Sequence, residues 1–185
     1  DEKAEIETRL GMQVRRFMGD TPINLNSTEQ LSQVIYSMKP VNKKEWVDLF
    51  EHVGDAKEYR AAVNANTVRM HKTRAYTCRE CDGVGKTHKL KKDGTPYKKA
   101  NKCKDCDGLG YKLKELQEIA GLKFYPPSKE WVSASGFSTS KGSLDLLIST
   151  ARSKGMMEAE YFLNDVRRLN AISSYLSNFV EGIDL

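Results

Sequence analysis

The chain has 185 residues, 39 % of them apolar and 30 % charged, with a formal net charge of +5. That suits one domain, or one domain carrying a smaller module, with a modest core under a large wet surface. No run approaches the ~18 apolar residues of a membrane helix, and the opening DEKAEIETRL is too acidic for an export signal. We therefore expect the reducing cytosol, where paired cysteines serve as metal ligands more often than as disulfides. The chain opens in mid-helix and closes without a terminal signature, as a fragment of something longer would.

Helical signals dominate in chain order. Residues 2–18 set Ile6, Leu10, Val14 and Phe17 on one face, predicting a helix that Gly19 and Pro22 break. In INLNSTEQLSQVIYSM, the run Ser27-Thr28-Glu29-Gln30 reads as a capping box, and Leu31, Val34, Ile35 and Met38 as the buried stripe of a second helix. NKKEWVDLFEHV (42–53) and DAKEYRAAVNANTVRMHKT (55–73) predict two more, divided near Gly54 and Asp55. KLKELQEIAG (112–121) predicts a short helix stopped by Gly121, and LKFYPPSKEWVSASGF (122–137) an irregular stretch around Pro126 and Pro127. STSKGSLDLLISTARSKG (138–155) and MMEAEYFLNDVRRLNAISSYLSNFVEG (156–182) complete the set as two helices. Trp46 and Trp131 read as core, although exposed tryptophans would stack on bases. The expected fold is mainly α, a helical bundle interrupted by one small, basic β-hairpin insert that bears the cysteines.

All four cysteines fall in two copies of one phrase, CRECDGVGK from Cys78 and CKDCDGLGY from Cys103. Each copy is C-x-x-C-x-G-x-G. Two intervening residues let both sulfurs turn inward from one tight knuckle, and the twin glycines permit positive φ and close backbone approach beside them. Cys78, Cys81, Cys103 and Cys106 thus supply the thiolates of one closed, tetrahedral, structural zinc site. A redox C-x-x-C is the rival reading, but redox motifs come singly and need no twin glycines. His71 and His88 stand at no ligand spacing and read as surface residues. Asp93-Gly94, in the gap between the copies, signals a hairpin turn.

Charge is concentrated in the same segment. From His71 to Lys114, thirteen Lys and Arg stand against five Asp and Glu, while the rest of the chain is net acidic. A hairpin carrying Lys91, Lys92, Lys98 and Lys99 attracts polyanions by Coulomb steering and counterion release. A merely solvated lysine surface is the plainer alternative.

Two resemblances follow from these residues. The doublet over 78–110 resembles the cysteine-rich repeat of DnaJ-type chaperones. That family carries four repeats and a His-Pro-Asp tripeptide, neither of which is found here, so the likeness implies a zinc-binding element and not a chaperone. NLNSTEQL (24–31), with GLKFYPP, GFSTSKGSLDLL and VRRLNAISSYL in that order, resembles the thumb of family A DNA polymerases, the bacterial polymerase I type. The resemblance implies a helical thumb-like body from residues 1–40 and 119–185, with an insert at 41–118 whose zinc-binding element spans about 74–114.

It also implies contacts to primer–template duplex DNA from Asn24, Asn26, Ser27, Gln30, Ser138, Thr139, Ser140 and Arg167. Residues 24–30 would surround a helix N-terminus, where free N–H groups favour a phosphate; the plainer reading is that Ser27 or Thr28 only caps the helix. The chain keeps Arg167 and Tyr175 but has Ala171 and Ser173 where the family usually has lysines. The catalytic motifs of palm and fingers are lacking, so the fragment is expected to catalyse nothing and to depend on the remainder of a polymerase chain. Its insert would extend DNA contact or dock a processivity or replisome protein, in the cytoplasm of a bacterial or phage-infected cell, with no membrane partner. An independent DnaJ-like zinc-binding protein is the further alternative.

Overall fold

Helix α1 (Glu2–Met18) forms where its apolar spacing predicts, burying Ile6, Leu10, Val14 and Met18 with Phe17 partly covered, in a computed structural model that describes residues 2–51 and 53–181. Helix α2 (Thr28–Tyr36) starts at Ser27, whose Oγ accepts the Gln30 N–H at 3.4 Å. It buries Leu31, Val34, Ile35 and Tyr36, and Met38 beyond it is buried too. Helices α4 (Lys141–Ser153) and α5 (Met157–Glu181) complete the body, after α3 (Ala56–Asn66). Gly182, with which the last predicted helix closes, lies outside the described residues, as does His52 of the predicted helix at 42–53. Helix α1 runs antiparallel along α5. Arg9 bonds both oxygens of Asp165 at 2.6 and 2.8 Å, and Arg168 and Arg16 pair with Glu2 and Glu158.

The mainly helical bundle expected from the sequence is corrected by the structure to a mixed α/β fold. Among the described residues it has five α-helices and eight short strands, the strands forming four two-stranded sheets, all antiparallel. Strands β1 (Met38–Pro40) and β2 (Thr67–Arg69) pair at the body, β3 (His71–Thr77) pairs with β6 (Tyr111–Ile119), β4 (Lys86–Leu90) with β5 (Pro96–Lys102), and β7 (Val132–Ser133) with β8 (Gly136–Phe137). The predicted helix 112–121 is strand β6, and the predicted helix 55–73 stops at Asn66, its remainder forming β2 and the start of β3. In the stretch expected to be helical at 42–53, the described residues form turns, irregular backbone and one 3-10 turn, Asp48–Phe50, and no α-helix.

Tertiary pairing overrides helix propensity in each case. Both faces of the β3–β6 ladder are largely wet, so neither strand carries an apolar alternation, and β6 is rich in the Lys, Leu, Glu and Gln that helices also favour. What holds β6 extended is its partner: Thr77 lies opposite Tyr111 and Arg74 opposite Lys114, with Lys72 bonded to Glu118 at 2.6 Å. Among the described residues of 42–53, Trp46 and Phe50 are the buried ones. The Trp46 indole is fully buried and meets the rings of Phe137 and Phe50 edge-on, at 4.9 and 6.0 Å. Trp131 is half-buried against the same core. Trp46, Phe50, Tyr59 and Val63 thereby join the core of the helices, whereas residues 74–114 contribute nothing to it.

The base of the β3–β6 ladder is tied to the body at two places. Asp20 accepts the Ala75 N–H on Oδ2 at 2.9 Å and gives its own N–H to Thr73 O at 2.8 Å. Residues 120–124 then pass under the end of α2: Leu122 and Phe124 donate to Val34 O and Ile35 O, and Gly121 donates to Phe17 O. Gly121 has a φ of +83°, and a Cβ there would run into the Val34 carbonyl and the Ser37 hydroxyl. Gly121 is therefore a close-approach residue and not the helix stop that the sequence suggests. Gly121→Ala is expected to lower the unfolding free energy by about 2–4 kcal/mol, combining left-handed strain with a backbone clash. A thermal midpoint within a degree of the parent's would contradict this packing.

Candidate metal centre and its cationic arm

Strands β3 and β6 rise from the body and end in two knuckles, Cys78–Gly85 and Cys103–Gly110, beyond which β4 and β5 form the distal hairpin. The knuckles repeat one another bond for bond. Cys78 N–H donates to Gly110 O and Cys103 N–H to Gly85 O, both at 2.9 Å. Gly85 N–H points at Cys81 Sγ and Gly110 N–H at Cys106 Sγ, both at 3.2 Å. The glycines are obligatory here. Gly85 and Gly110 have φ of +77° and +80°, and a Cβ on either would strike the carbonyl of Gly108 or Gly83 on the opposite knuckle.

The four sulfurs are buried and lie within 4.8 Å of one another. Cys78 and Cys103 Sγ are 3.9 Å apart, Cys81 and Cys106 Sγ 3.7 Å. None of these separations is a disulfide. A tetrahedron of sulfurs at metal–sulfur distances of about 2.3 Å has edges of about 3.8 Å, so the donor set fits one metal ion held by all four residues. The cluster stands alone: the cysteines form a buried group separate from the core of the body. The module has no other core.

Burial pushes the Cys78 thiol up to about 12, with hydrogen bonding to Cys81 adding to the shift. At Cys106 burial acts the same way, but the Gly110 N–H and the neighbouring sulfurs outweigh it and hold the thiol at about 7. Outside the sulfurs, Asp105 lies 3.4 Å from Cys78 Sγ and pairs with Lys112, which holds its carboxyl below the usual range, Cys78 contributing next. Sequence reading missed Asp105 and Lys112. Their signal was available: Asp105 occupies the second x of C-x-x-C, and Lys112 follows the closing glycine by two.

The predicted lysines fall together on the distal hairpin. Lys98 and Lys99 lie on β5, Lys91 and Lys92 in the turn between Leu90 and Pro96, and all four are exposed. Among the described residues none of the four enters an ion pair, while Lys91 Nζ sits 5.8 Å from the centre of the Tyr97 ring. Most arginines of the body are arranged differently. Arg9, Arg16, Arg152, Arg167 and Arg168 are all paired with body carboxylates. The net positive charge of the chain nevertheless stands on the arm, where thirteen Lys and Arg between His71 and Lys114 face five Asp and Glu.

The other predicted contact residues form separate networks on the body. At the start of α2, Asn24 N–H donates to Gln30 Oε1 at 2.6 Å, Asn26 N–H to Asn24 Oδ1 at 3.0 Å, and Gln30 N–H to Ser27 Oγ. Ser27 is thus the helix cap. Asn24 and Asn26 also line a cleft of about 600 Å³ shared with Arg15, Asp20, Ala75 and Tyr111, so this loop lies against the root of the arm. Ser140 caps α4, and its Oγ meets Ser143 Oγ at 2.9 Å, while Ser138 Oγ meets Ser143 Oγ at 2.7 Å. Thr139 lies half-buried between them. Arg167 is engaged with Asp145 at 2.6 Å, binding α5 to α4, and Tyr175 is exposed and stacked on Phe179. Ser27→Ala is expected to cost about 1 kcal/mol through the lost cap; an unchanged urea midpoint would show the cap idle.

Among the described residues, no helix is long and apolar enough to cross a membrane. Compared with family models, with curated proteins and with solved structures, the chain matches none significantly.

Proposed function

We propose that this chain is a non-catalytic DNA-binding module in which one structural zinc, held by Cys78, Cys81, Cys103 and Cys106, stiffens a lysine-bearing arm that grips the sugar–phosphate backbone of duplex DNA. The observation that carries the reading is the segregation of charge: residues 71–114 hold thirteen Lys and Arg against five Asp and Glu while the rest of the chain is net acidic, and Lys91, Lys92, Lys98 and Lys99 are exposed on the hairpin. All-sulfur ligation and burial favour zinc over harder cations. Four protein ligands leave no open position for a reacting water, so the metal's contribution is folding energy. Backbone contacts without base reading suit a module that must hold any sequence.

The order of NLNSTEQL, GFSTS and VRRLNAISSYL supports assigning the module to a polymerase parent, as a thumb-region fragment acting on primer–template duplex with the remainder of that chain, in a bacterial or phage-infected cell. The loop 24–27 beside the root of the arm would then place the duplex where the arm reaches it. A protein-docking role for the arm is the second reading. It is favoured by Val84 and Leu109, which occupy the same slot of the two knuckles and are 70 % and 61 % exposed.

Elemental analysis of protein purified without added metal is expected to give one zinc per chain, and a ratio near zero contradicts the site. Titration of duplex DNA at several salt concentrations separates the two readings. Backbone binding gives an affinity that falls steeply with salt, whereas a docking arm leaves duplex affinity weak and nearly salt-independent.

A further inference from the structure

At the far end of the hairpin, the lysines surround an apolar pair. Leu90 closes β4, Pro96 opens β5, and the two face each other across the ladder. Both are exposed, Leu90 by 67 %, and Tyr97 beside Pro96 is exposed by 51 %. Neither of the pair belongs to the core or to the sulfur cluster.

The turn that carries them is well tied. Lys91 N–H donates to Thr95 O at 2.8 Å and Gly94 N–H to Lys91 O at 3.0 Å. Asp93 Oδ1 accepts from the Thr95 N–H and hydroxyl at 2.9 and 2.6 Å, so the one acid of the tip is turned inward. The ladder also shifts register between His88 and Leu90, where His88 Nδ1 lies 2.8 Å from Tyr97 O. Such a bulge sharpens the twist of a two-stranded ribbon and re-aims its end.

A stiff ribbon with an apolar end and cations along both edges matches one kind of surface: a stacked, apolar step between two rows of phosphates. We propose that the β4–β5 hairpin enters the minor groove of duplex DNA and presses Leu90 and Pro96 against a base step, bending the duplex. This rests on the duplex-binding reading above. The minor groove of B-DNA, about 6 Å wide, is narrower than a two-stranded ribbon with its side chains, so the tip enters only as the wedge unstacks the step and the bend opens the groove. Lys89 and Lys99 on the strands and Lys91 and Lys92 at the turn then reach phosphates bordering that groove. Leucine and proline are the side chains that unstack a step without asking it for hydrogen bonds, and the bend they cause brings more phosphate to the lysines. Pyrimidine–purine steps yield most readily, so the preferred site is a flexible step and not a base sequence.

The test uses the whole zinc-loaded chain and a duplex of about 30 base pairs with a central TA step, dye-labelled at both ends. Binding is expected to raise energy transfer between the ends. Leu90→Ser, an exposed change that disturbs no core contact, is expected to abolish that rise and weaken binding about tenfold, with the salt slope kept. Changing Lys91 and Lys92 to Ala is expected to reduce the salt slope instead. A duplex bound with a normal salt slope but left unbent, or bent equally by the Leu90→Ser chain, overturns the wedge and leaves backbone binding standing. No binding to the duplex overturns both.

Discussion

Replacing Cys81 with serine is expected to unfold the arm and leave the helices standing. Three sulfurs cannot complete the tetrahedron, and the apparent binding energy of a structural zinc, about 10–16 kcal/mol in small zinc-finger peptides, is the folding energy of an element this size. Nothing else is available to hold it. The sulfur cluster is the arm's only buried side-chain cluster among the described residues, joined by the knuckle glycines Gly85 and Gly110, and the β3–β6 and β4–β5 ladders are almost wholly exposed. The body, by contrast, has a continuous core running from Ile6 to Leu169 through Trp46, Phe50 and Phe162. The variant should therefore lose its metal and become open to proteolysis between Thr77 and Tyr111, while its far-ultraviolet circular dichroism keeps its helical signal. Collapse of that signal would show that body and arm fold as one unit, and a protease-resistant arm without metal would show that the ladders suffice alone.

Changing Lys91, Lys92, Lys98 and Lys99 together to alanine is expected to weaken binding to every duplex alike and to flatten the slope of log affinity against log salt by up to about 3 units. Each phosphate neutralised by a lysine releases condensed counterions and contributes about 0.9 to that slope. All four side chains are exposed, so their loss removes charge without opening a cavity. Alanine at Asn26 and Ser27, which carry no charge, should weaken binding with a smaller change in slope. If the quadruple variant binds with unchanged affinity and slope, the arm is a protein-docking surface and its lysines serve solubility.

The parts of the fold that the sequence makes legible are those where burial leaves a period. The stripe Ile6, Leu10, Val14 and the stripe Leu31, Val34, Ile35 face a core and mark α1 and α2 without help from any partner. The cysteine doublet is legible for a different reason: C-x-x-C-x-G-x-G states its own geometry, sulfurs inward and glycines where backbones touch. Strands β3 and β6 left no such trace. A two-stranded ladder wet on both faces needs no alternation, and Leu113, Leu116 and Gln117 suit a helix equally well until the knuckles bring Thr77 opposite Tyr111. Trp46 and Phe50, four apart, imitate a helix face although the chain between them turns in 3-10 fashion. Gly121 reads as a stop because only the folded chain reveals the Val34 carbonyl above it. The apolar end of the hairpin was hidden for a simpler reason. Leu90 and Pro96 are separated by five polar or glycine residues, and only the register of β4 on β5 shows them as a pair.

The central claim is that a metal-held arm binds duplex DNA through its phosphates, and the affinity of the unaltered, zinc-loaded chain for duplex DNA across a range of salt tests it most directly. The account predicts a line whose slope is about −3 or steeper, shared by unrelated duplex sequences. A flat line, or affinity confined to one sequence, would contradict it.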